Sequence, residues 1–252
     1  MGENKKDARG EFMFLYETHC HTKSVSACAS LTAEELVEVY LANGYSGVFI
    51  TDHFLNGNTT LHRLLPDADY REKITAFCAS YEEVKRVAGT RLQVFFGFEY
   101  SYEGTDILVY GWDESKLKKM EKILSMSMRE FCEFCRENGA LAIQAHPFRE
   151  AGYIDHIRLF TQAEGIETYN SARDERCNRL ADFFAEEYGK IKIGGSDMHS
   201  SHMGNLSGMA FDTPLHDEQD FIERLRAGEG KIIRQKNCYK TELTKLQLKT
   251  RI

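Results

Sequence analysis

Four of the nine histidines stand in tight groups with each other or with an acid, His19-Cys20-His21, Asp52-His53 and Asp197-Met198-His199, and a fifth opens His146-Pro147. Glu99 adds an isolated carboxylate after LQVFFGF. Neutral imidazole and carboxylate are the donors that hold Zn²⁺, Mn²⁺ or Fe²⁺. Any one of these histidines reads as a satisfied core or loop residue. As a set they do not, because each group directly follows a short apolar run: FMFLY, GVFIT, LAIQ and IKIG. In a parallel α/β sheet or barrel the C-terminal ends of the strands emerge on one face. His19, His21, Asp52, His53, Glu99, His146, Asp197 and His199 then converge, and they exceed what one tetrahedral ion can use. The count points to two or three divalent ions.

The elements that must position them follow from the pattern. Strands are expected at Phe12–Tyr16, Gly47–Thr51, Leu92–Phe98, Ile107–Tyr110, Leu141–Gln144, Gly165–Thr168, Ile191–Gly194 and Gly230–Arg234, all short and rich in β-branched or aromatic residues. Between them, Thr32 and Glu35 form a capping-box signature ahead of Leu36, Val39 and Tyr40, with Gly44 as the stop. Further helices are expected over Ala68–Val87, Lys116–Asn138 (one or two), Arg173–Tyr188 and Asp217–Ala227, with Gly139 and Gly189 as C-terminal glycines. A short Glu103-Gly104 turn inserts one hairpin into this alternation. The alternation predicts an α/β fold with a parallel sheet, closed or open.

Composition sets the outer limits. With 252 residues, 42% hydrophobic and 28% charged, the chain is an ordinary globular protein of one large domain. Thirty-two basic against 39 acidic residues give a net charge of −7, which disfavours an extended nucleic-acid surface. No apolar run approaches the roughly 18 residues of a membrane span. MGENKKDARG lacks the apolar stretch of a signal peptide, and Lys6 stands where a myristoylation motif wants Ser or Thr. Seven scattered cysteines do not frame a disulfide scaffold, so the expectation is a cytoplasmic protein with reduced thiols and no membrane partner. Residues 236–252 read as a polar tail beyond a core of about 13–235.

His19-Cys20-His21-Thr22, Thr51-Asp52-His53, Gly97-Phe98-Glu99, His146-Pro147 and Gly195-Ser196-Asp197-Met198-His199 together resemble the motifs of the PHP (polymerase and histidinol phosphatase) domain, a family of metal-dependent phosphoesterases. They come in family order over residues 13–211, about four-fifths of the chain. The resemblance implies a single domain folded as a distorted (β/α)₇ barrel with a metal cluster at the strand C-termini. Carried over residue by residue, His19, His21, Glu99 and Asp197 would hold one ion, and His53 and His199 a second. Glu99 and His146 would hold a third, with Asp106 replacing a family histidine. Glu17 replaces the family's leading Asp and is expected behind the ligands. No carboxylate stands in Thr22–Cys28 to complete the second site, where Cys28 offers either a soft thiolate or an ordinary buried sulfur.

The implied activity is hydrolysis of a small phosphate monoester or nucleotide by a metal-bridging hydroxide, with a small phosphorylated substrate as the partner. Asp52 would orient an imidazole, and His199 is a second catalytic candidate. Arg149, Asn170 and Arg173 are the substrate-binding candidates, against a surface ion pair for Arg149 and a helix cap for Asn170. Cys132-x-x-Cys135 lies mid-helix with no second pair and reads as part of an apolar stripe with Phe131 and Phe134. Two rival readings use the same ligands: a metal-binding regulatory protein without turnover, and a metal-dependent amidohydrolase. The second typically needs a carboxylated Lys at a strand end, and no Lys occupies a ligand position.

Overall fold

A computed structural model describes residues 5–6 and 12–239; the expected polar tail lies outside them from residue 240 on. The strands are β1 (Lys5–Lys6), β2 (Phe12–Glu17), β3 (Gly47–Ile50), β4 (Gln93–Tyr102), β5 (Thr105–Tyr110), β6 (Leu141–Ala145), β7 (Gly165–Asn170), β8 (Ile191–Gly195), β9 (Asn205–Phe211) and β10 (Lys231–Lys236). The helices are α1 (Ala33–Ala42), α2 (Leu61–Leu64), α3 (Tyr70–Ala88), α4 (Glu114–Leu117), α5 (Met128–Glu137), α6 (Glu175–Glu187) and α7 (Glu218–Arg226). The capping box of Thr32 and Glu35 forms as its spacing predicts. The stretch expected to be one or two helices before Asn138 breaks instead into α4, a 3₁₀ turn at Glu121–Ser125, and α5.

The sheet order is β10-β9-β2-β3-β4-β5-β6-β7-β8, curled into a nearly closed barrel. β2, β3 and β4 are mutually parallel, and so are β6, β7 and β8. β5 runs antiparallel between the two groups. Its start therefore lies beside the ends of its neighbours, with Asp106 opposite Ala145 and Ser101. Seven strands, β2 to β8, thus reach one rim; the expected barrel is found, but with β5 reversed in a hairpin with β4 and with β9 as a strand beyond the (β/α)₇ count. β9 runs antiparallel to β2 on the side away from β3 and approaches β8, nearly closing the barrel, and β10 pairs antiparallel with β9.

β9 was not expected from the sequence. Ser207 and Gly208 interrupt its apolar run, and both have structural reasons. A Cβ on Gly208 would collide with the Tyr16 carbonyl on β2. Ser207 closes the gap to β8, its N–H donating to Ser196 Oγ (2.8 Å) while the Ser196 hydroxyl donates to Ser207 O (3.2 Å).

The barrel floor is apolar and aromatic. Phe221 on α7 enters it, 4.4 Å from the ring centre of Phe49 and 5.2 Å from that of Tyr110. Offset and edge-on aromatic packing of this kind adds about 0.5–1.5 kcal/mol per pair beyond burial. The polar residues are confined to the opposite rim. Outside the barrel, α1 covers β2 and β3, while α3 and α5 cover the strands around β4 to β6. Cys132 and Cys135 are buried on the core side of α5 with Phe131, the apolar stripe their spacing suggests. No helix among the described residues is long and apolar enough to cross a membrane.

Candidate metal centre

Two short pairings beyond the strands set the rim. Cys20 and Met198 form an isolated parallel bridge, with His21 N–H donating to Met198 O (3.0 Å) and Met198 N–H to His19 O (3.1 Å). Side chains alternate across extended backbone. Cys20 and Met198 accordingly turn out into the apolar layer, while His19, His21, Asp197 and His199 turn inward. The same device joins His53 to Glu99, with Phe54 N–H donating to Glu99 O and Glu99 N–H to Asp52 O. Gly195 is required by space: a Cβ there would meet both Glu167 Oε1 and the Cβ of His19. His146 and Asp197 have φ of +28° and +54°, left-handed conformations that side chains rarely adopt. Such strain costs on the order of 1–3 kcal/mol and persists where the surroundings enforce it.

Glu99 lies at the centre and is completely buried. Its oxygens approach His53 Nδ1 (2.7 Å), His19 Nε2 (3.2 Å), His146 Nε2 (3.2 Å) and His21 Nε2 (3.5 Å). None of these contacts is an aligned hydrogen bond, so both oxygens are buried without a donor. Asp197 lies on the other side of the imidazoles, 3.5 Å from His19 Nε2, 3.4 Å from His21 Nε2 and 3.8 Å from His146 Nε2.

The outer contacts fix the tautomers. His19 Nδ1–H donates to Glu167 Oε1 (2.9 Å). His199 Nδ1–H donates to the Asp197 carbonyl (2.8 Å). The Ser26 hydroxyl donates to Asp52 Oδ1 (2.7 Å), so it can only accept from His21 Nδ1–H (3.1 Å). The Nε2 lone pairs of His19 and His21 are therefore turned inward, 3.1 Å apart. Two ring nitrogens at that distance, beside an undonated carboxylate, need a cation between them, a proton or a metal ion. Donors of this type and convergence fit divalent ions. Four groupings satisfy the geometric requirement: His21, His53 and His199; His19, His146 and Asp197; His19, His21 and Glu99; His53, Glu99 and Asp106.

The charge balance agrees. Glu17, Asp52, Glu99, Asp106, Glu167 and Asp197 are all buried around the rim. Burial alone would raise Glu99 and Asp197, yet the neighbouring histidines hold both well below the ordinary carboxylate range. Burial would lower His53, but Glu99 and then Cys28 outweigh it and push it up to about 11. His21 goes the other way, down to about 3, through burial and the neighbouring charge of His53. In the metal-free protein some of the imidazoles carry protons in the place of metal charge.

Every metal-ligand candidate named from the sequence reaches this rim. Asp106 accepts from Ser101 Oγ (2.7 Å) and from Arg149 (2.8 Å). Arg173 donates to Asp197 Oδ2 (2.7 Å). The Nε atoms of both arginines are buried without a partner, and both residues line a cleft of about 580 Å³ with His53, Glu99, His146 and Tyr153.

Two other candidates sit elsewhere than expected. Asn170 is fully buried, does not line the cleft, and donates to Glu167 Oε2 (2.9 Å). It does not cap α6 either, since Asp174 does. Asp52 touches no imidazole. It accepts from Thr22 N–H and Oγ, Ser26 Oγ and Ser80 Oγ, and reaches His21 only through Ser26. Glu17 lies behind the ligands, accepting from the N–H groups of Thr18, His19 and Ser196 and from Tyr40.

Glu167 went unnoticed in the sequence. It lies inside β7, whereas the ligand motifs stand past their strand ends. A fully buried acid within GIETYN was the available signal, because unpaired buried carboxylates are rare.

Residues 175–229, which carry α6, β8, β9 and α7 with Asp197 and His199, match the family model for the PHP-associated region. The fold of the whole chain is similar to a two-domain protein from Bacteroides vulgatus described as containing a predicted PHP-like metal-dependent phosphoesterase. The TM-score is 0.64 at 13% identity, over 92% of this chain and 68% of that one. The chain shares the barrel fold of that PHP-like protein. The fold is also similar to that of PsfC from Pseudomonas syringae, with a TM-score of 0.56 at 14% identity over 88% of this chain and 91% of that one. A lesion-specific endonuclease from Pyrococcus furiosus is similar too, with a TM-score of 0.58 at 15% identity over 88% of this chain. The match spans 58% of the endonuclease's length. No curated protein matches the chain by sequence. The five histidine and acid motifs occupy the rim of this barrel.

Proposed function

We propose that the chain is a metal-dependent phosphoesterase acting on a small phosphate monoester or nucleotide. The observation that carries the reading is the pairing of Arg149 and Arg173 with the carboxylates of Asp106 and Asp197 at the mouth of the imidazole cluster. Each guanidinium keeps an unpartnered buried Nε and faces the cleft that also exposes His53 and His199. Guanidinium forks suit phosphoryl oxygens, which they can hold bidentately.

His19, His21, His53, Glu99, Asp106, His146, Asp197 and His199 would hold the ions, with Glu99 shared between them. Divalent ions so held make hydroxide available near neutral pH and neutralise phosphoryl charge. The protein supplies the rest. Glu167 and Ser26 keep the Nε2 lone pairs of His19 and His21 aimed inward. Asp52 fixes Ser26 and Thr22, and so the loop beneath His21. Arg149 and Arg173 orient the phosphoryl group, and the open cleft suits a small ester. The net charge of −7 favours this over a long nucleic-acid duplex.

Turnover tests the reading. Protein stripped with chelator and reloaded with Mn²⁺ or Zn²⁺ should release phosphate from a generic aryl phosphate, and Glu99→Gln should abolish release. Metal-loaded protein inert on aryl phosphates and on a panel of phosphorylated metabolites would leave a metal-binding protein without this activity.

A further inference from the structure

Cys28 is exposed, yet its sulfur is held in place. Ser26 N–H donates to Thr22 O, Ala27 N–H to Asn58 O and Ala29 N–H to Ser26 O, while the Ser26 hydroxyl is fixed by Asp52. Immediately after it, Ser30 donates both its N–H (2.9 Å) and its hydroxyl (3.1 Å) to the carbonyl of His199. The loop is thus tied to the strand end that carries His199, and Cys28 Sγ lies 3.1 Å from His199 Nε2. Because His199 Nδ1–H is committed to the Asp197 carbonyl, this Nε2 presents a lone pair.

His53 is the third member of this corner, and Cys28, His53 and His199 all line the cleft. His53 is 8% exposed, and its Nδ1 lies 2.7 Å from Glu99, whose two buried oxygens have no aligned donor. Two imidazoles and a thiol beside a buried carboxylate with no donor have the composition of a metal site whose last protein donor is sulfur.

Bond lengths of about 2.3 Å to sulfur and 2.1 Å to nitrogen put two tetrahedral ligand atoms about 3.6 Å apart. Sγ and His199 Nε2 need to separate by only about 0.5 Å to receive an ion on that scale.

We propose that Cys28 is a thiolate ligand of the metal site at His53 and His199. This rests on the metal-centre reading above and gives that corner a soft donor set. As the sulfur–metal bond forms, the thiol proton leaves to solvent, so loading releases one proton at this residue. Three protein ligands leave a position open toward the cleft, the arrangement of catalytic rather than structural zinc sites. The site should favour Zn²⁺ or Fe²⁺ over Mn²⁺, because thiolate selects softer ions.

Cobalt substitution tests it directly. The full chain is stripped and titrated with Co²⁺ while the near-ultraviolet region is scanned for thiolate-to-cobalt charge transfer. The wild type should develop the band as cobalt binds, and Cys28→Ser should lose it while still binding cobalt at the remaining sites. Cys28→Asp should also lack the band, yet should hold as many ions as the wild type, with preference shifted toward Mn²⁺. Metal should also protect Cys28 from alkylation, read by mass spectrometry, whereas exposed Cys238 should react equally in both states. The expected result is slower alkylation of Cys28 on loading, because the thiolate that would react is taken up by the ion.

Cobalt bound with no charge-transfer band, or with Cys28 alkylated at the apo rate, refutes the thiolate while sparing the metal centre. No cobalt bound at all refutes both.

Discussion

Glu167→Gln isolates the support of the metal centre from its ligands, because Glu167 touches no cleft and its replacement keeps the shape. Glu167 Oε1 accepts from His19 Nδ1–H (2.9 Å), and Oε2 accepts from His146 N–H (3.0 Å) and Asn170 Nδ2 (2.9 Å). A glutamine offers one oxygen where three donors converge. If its oxygen faces His19, its amide NH₂ opposes two donors, and the backbone N–H of His146 loses its partner. If its NH₂ faces His19, the ring must present a bare Nδ1 and carry its proton on Nε2, where it can no longer ligate. Asn170 cannot turn its amide to help without giving up Ala172 N–H, which its Oδ1 accepts at 2.9 Å. The first arrangement leaves a buried donor unsatisfied at about 1–3 kcal/mol, and the second takes His19 Nε2 away from the metal.

Expressed as metal affinity, this is roughly a 10- to 100-fold loss, the usual effect of removing a carboxylate that orients a ligating histidine. Competition with a chromophoric chelator reads it, with thermal unfolding of the stripped protein as the control for stability. Zinc bound by Glu167→Gln as tightly as by the wild type would refute both the tautomer assignment and the role of Glu167.

Three further outcomes follow from the same geometry. Asp197→Asn should abolish phosphate release and weaken metal binding. Because its folded carboxyl is held below its unfolded value, the stripped variant should also be less stable than wild type near pH 7, the gap closing as pH falls below about 4, seen in urea titrations at several pH values. Glu17 has the opposite sign: burial, against its hydrogen bonds, raises it from 4.5 to about 7, so stability falls as pH rises across that interval, and Glu17→Gln should flatten this slope. Asp106→Ala should release Arg149 and reduce metal occupancy, measured by elemental analysis, while shifting the melting temperature by only a few degrees, the scale of about 1 kcal/mol; full occupancy would return Asp106 to a purely structural role.

The parts legible in the sequence are those written in local patterns. The Thr32–Glu35 capping box, the Glu103-Gly104 hairpin and the run of ligands after each strand rest on spacing within a few residues, and each is found in the structure. What escaped depends on partners far along the chain. Glu167 acquires its meaning from His19, 148 positions away, and Gly208 in β9 from its contact with Tyr16 on β2. Asp52 sits beside His53 in sequence, but backbone alternation sends its carboxylate behind the barrel wall to Thr22, Ser26 and Ser80. Asn170 follows the same logic, turned down onto Glu167 at the end of its strand rather than up into the cleft.

Anomalous diffraction from a crystal loaded with zinc or manganese tests the central claim most directly. The account predicts at least two peaks sharing the carboxylate of Glu99, one of them among His19, His21 and Asp197, and their loss in Glu99→Gln. A single peak that does not touch Glu99, or no peak at the rim under metal-replete conditions, would contradict it.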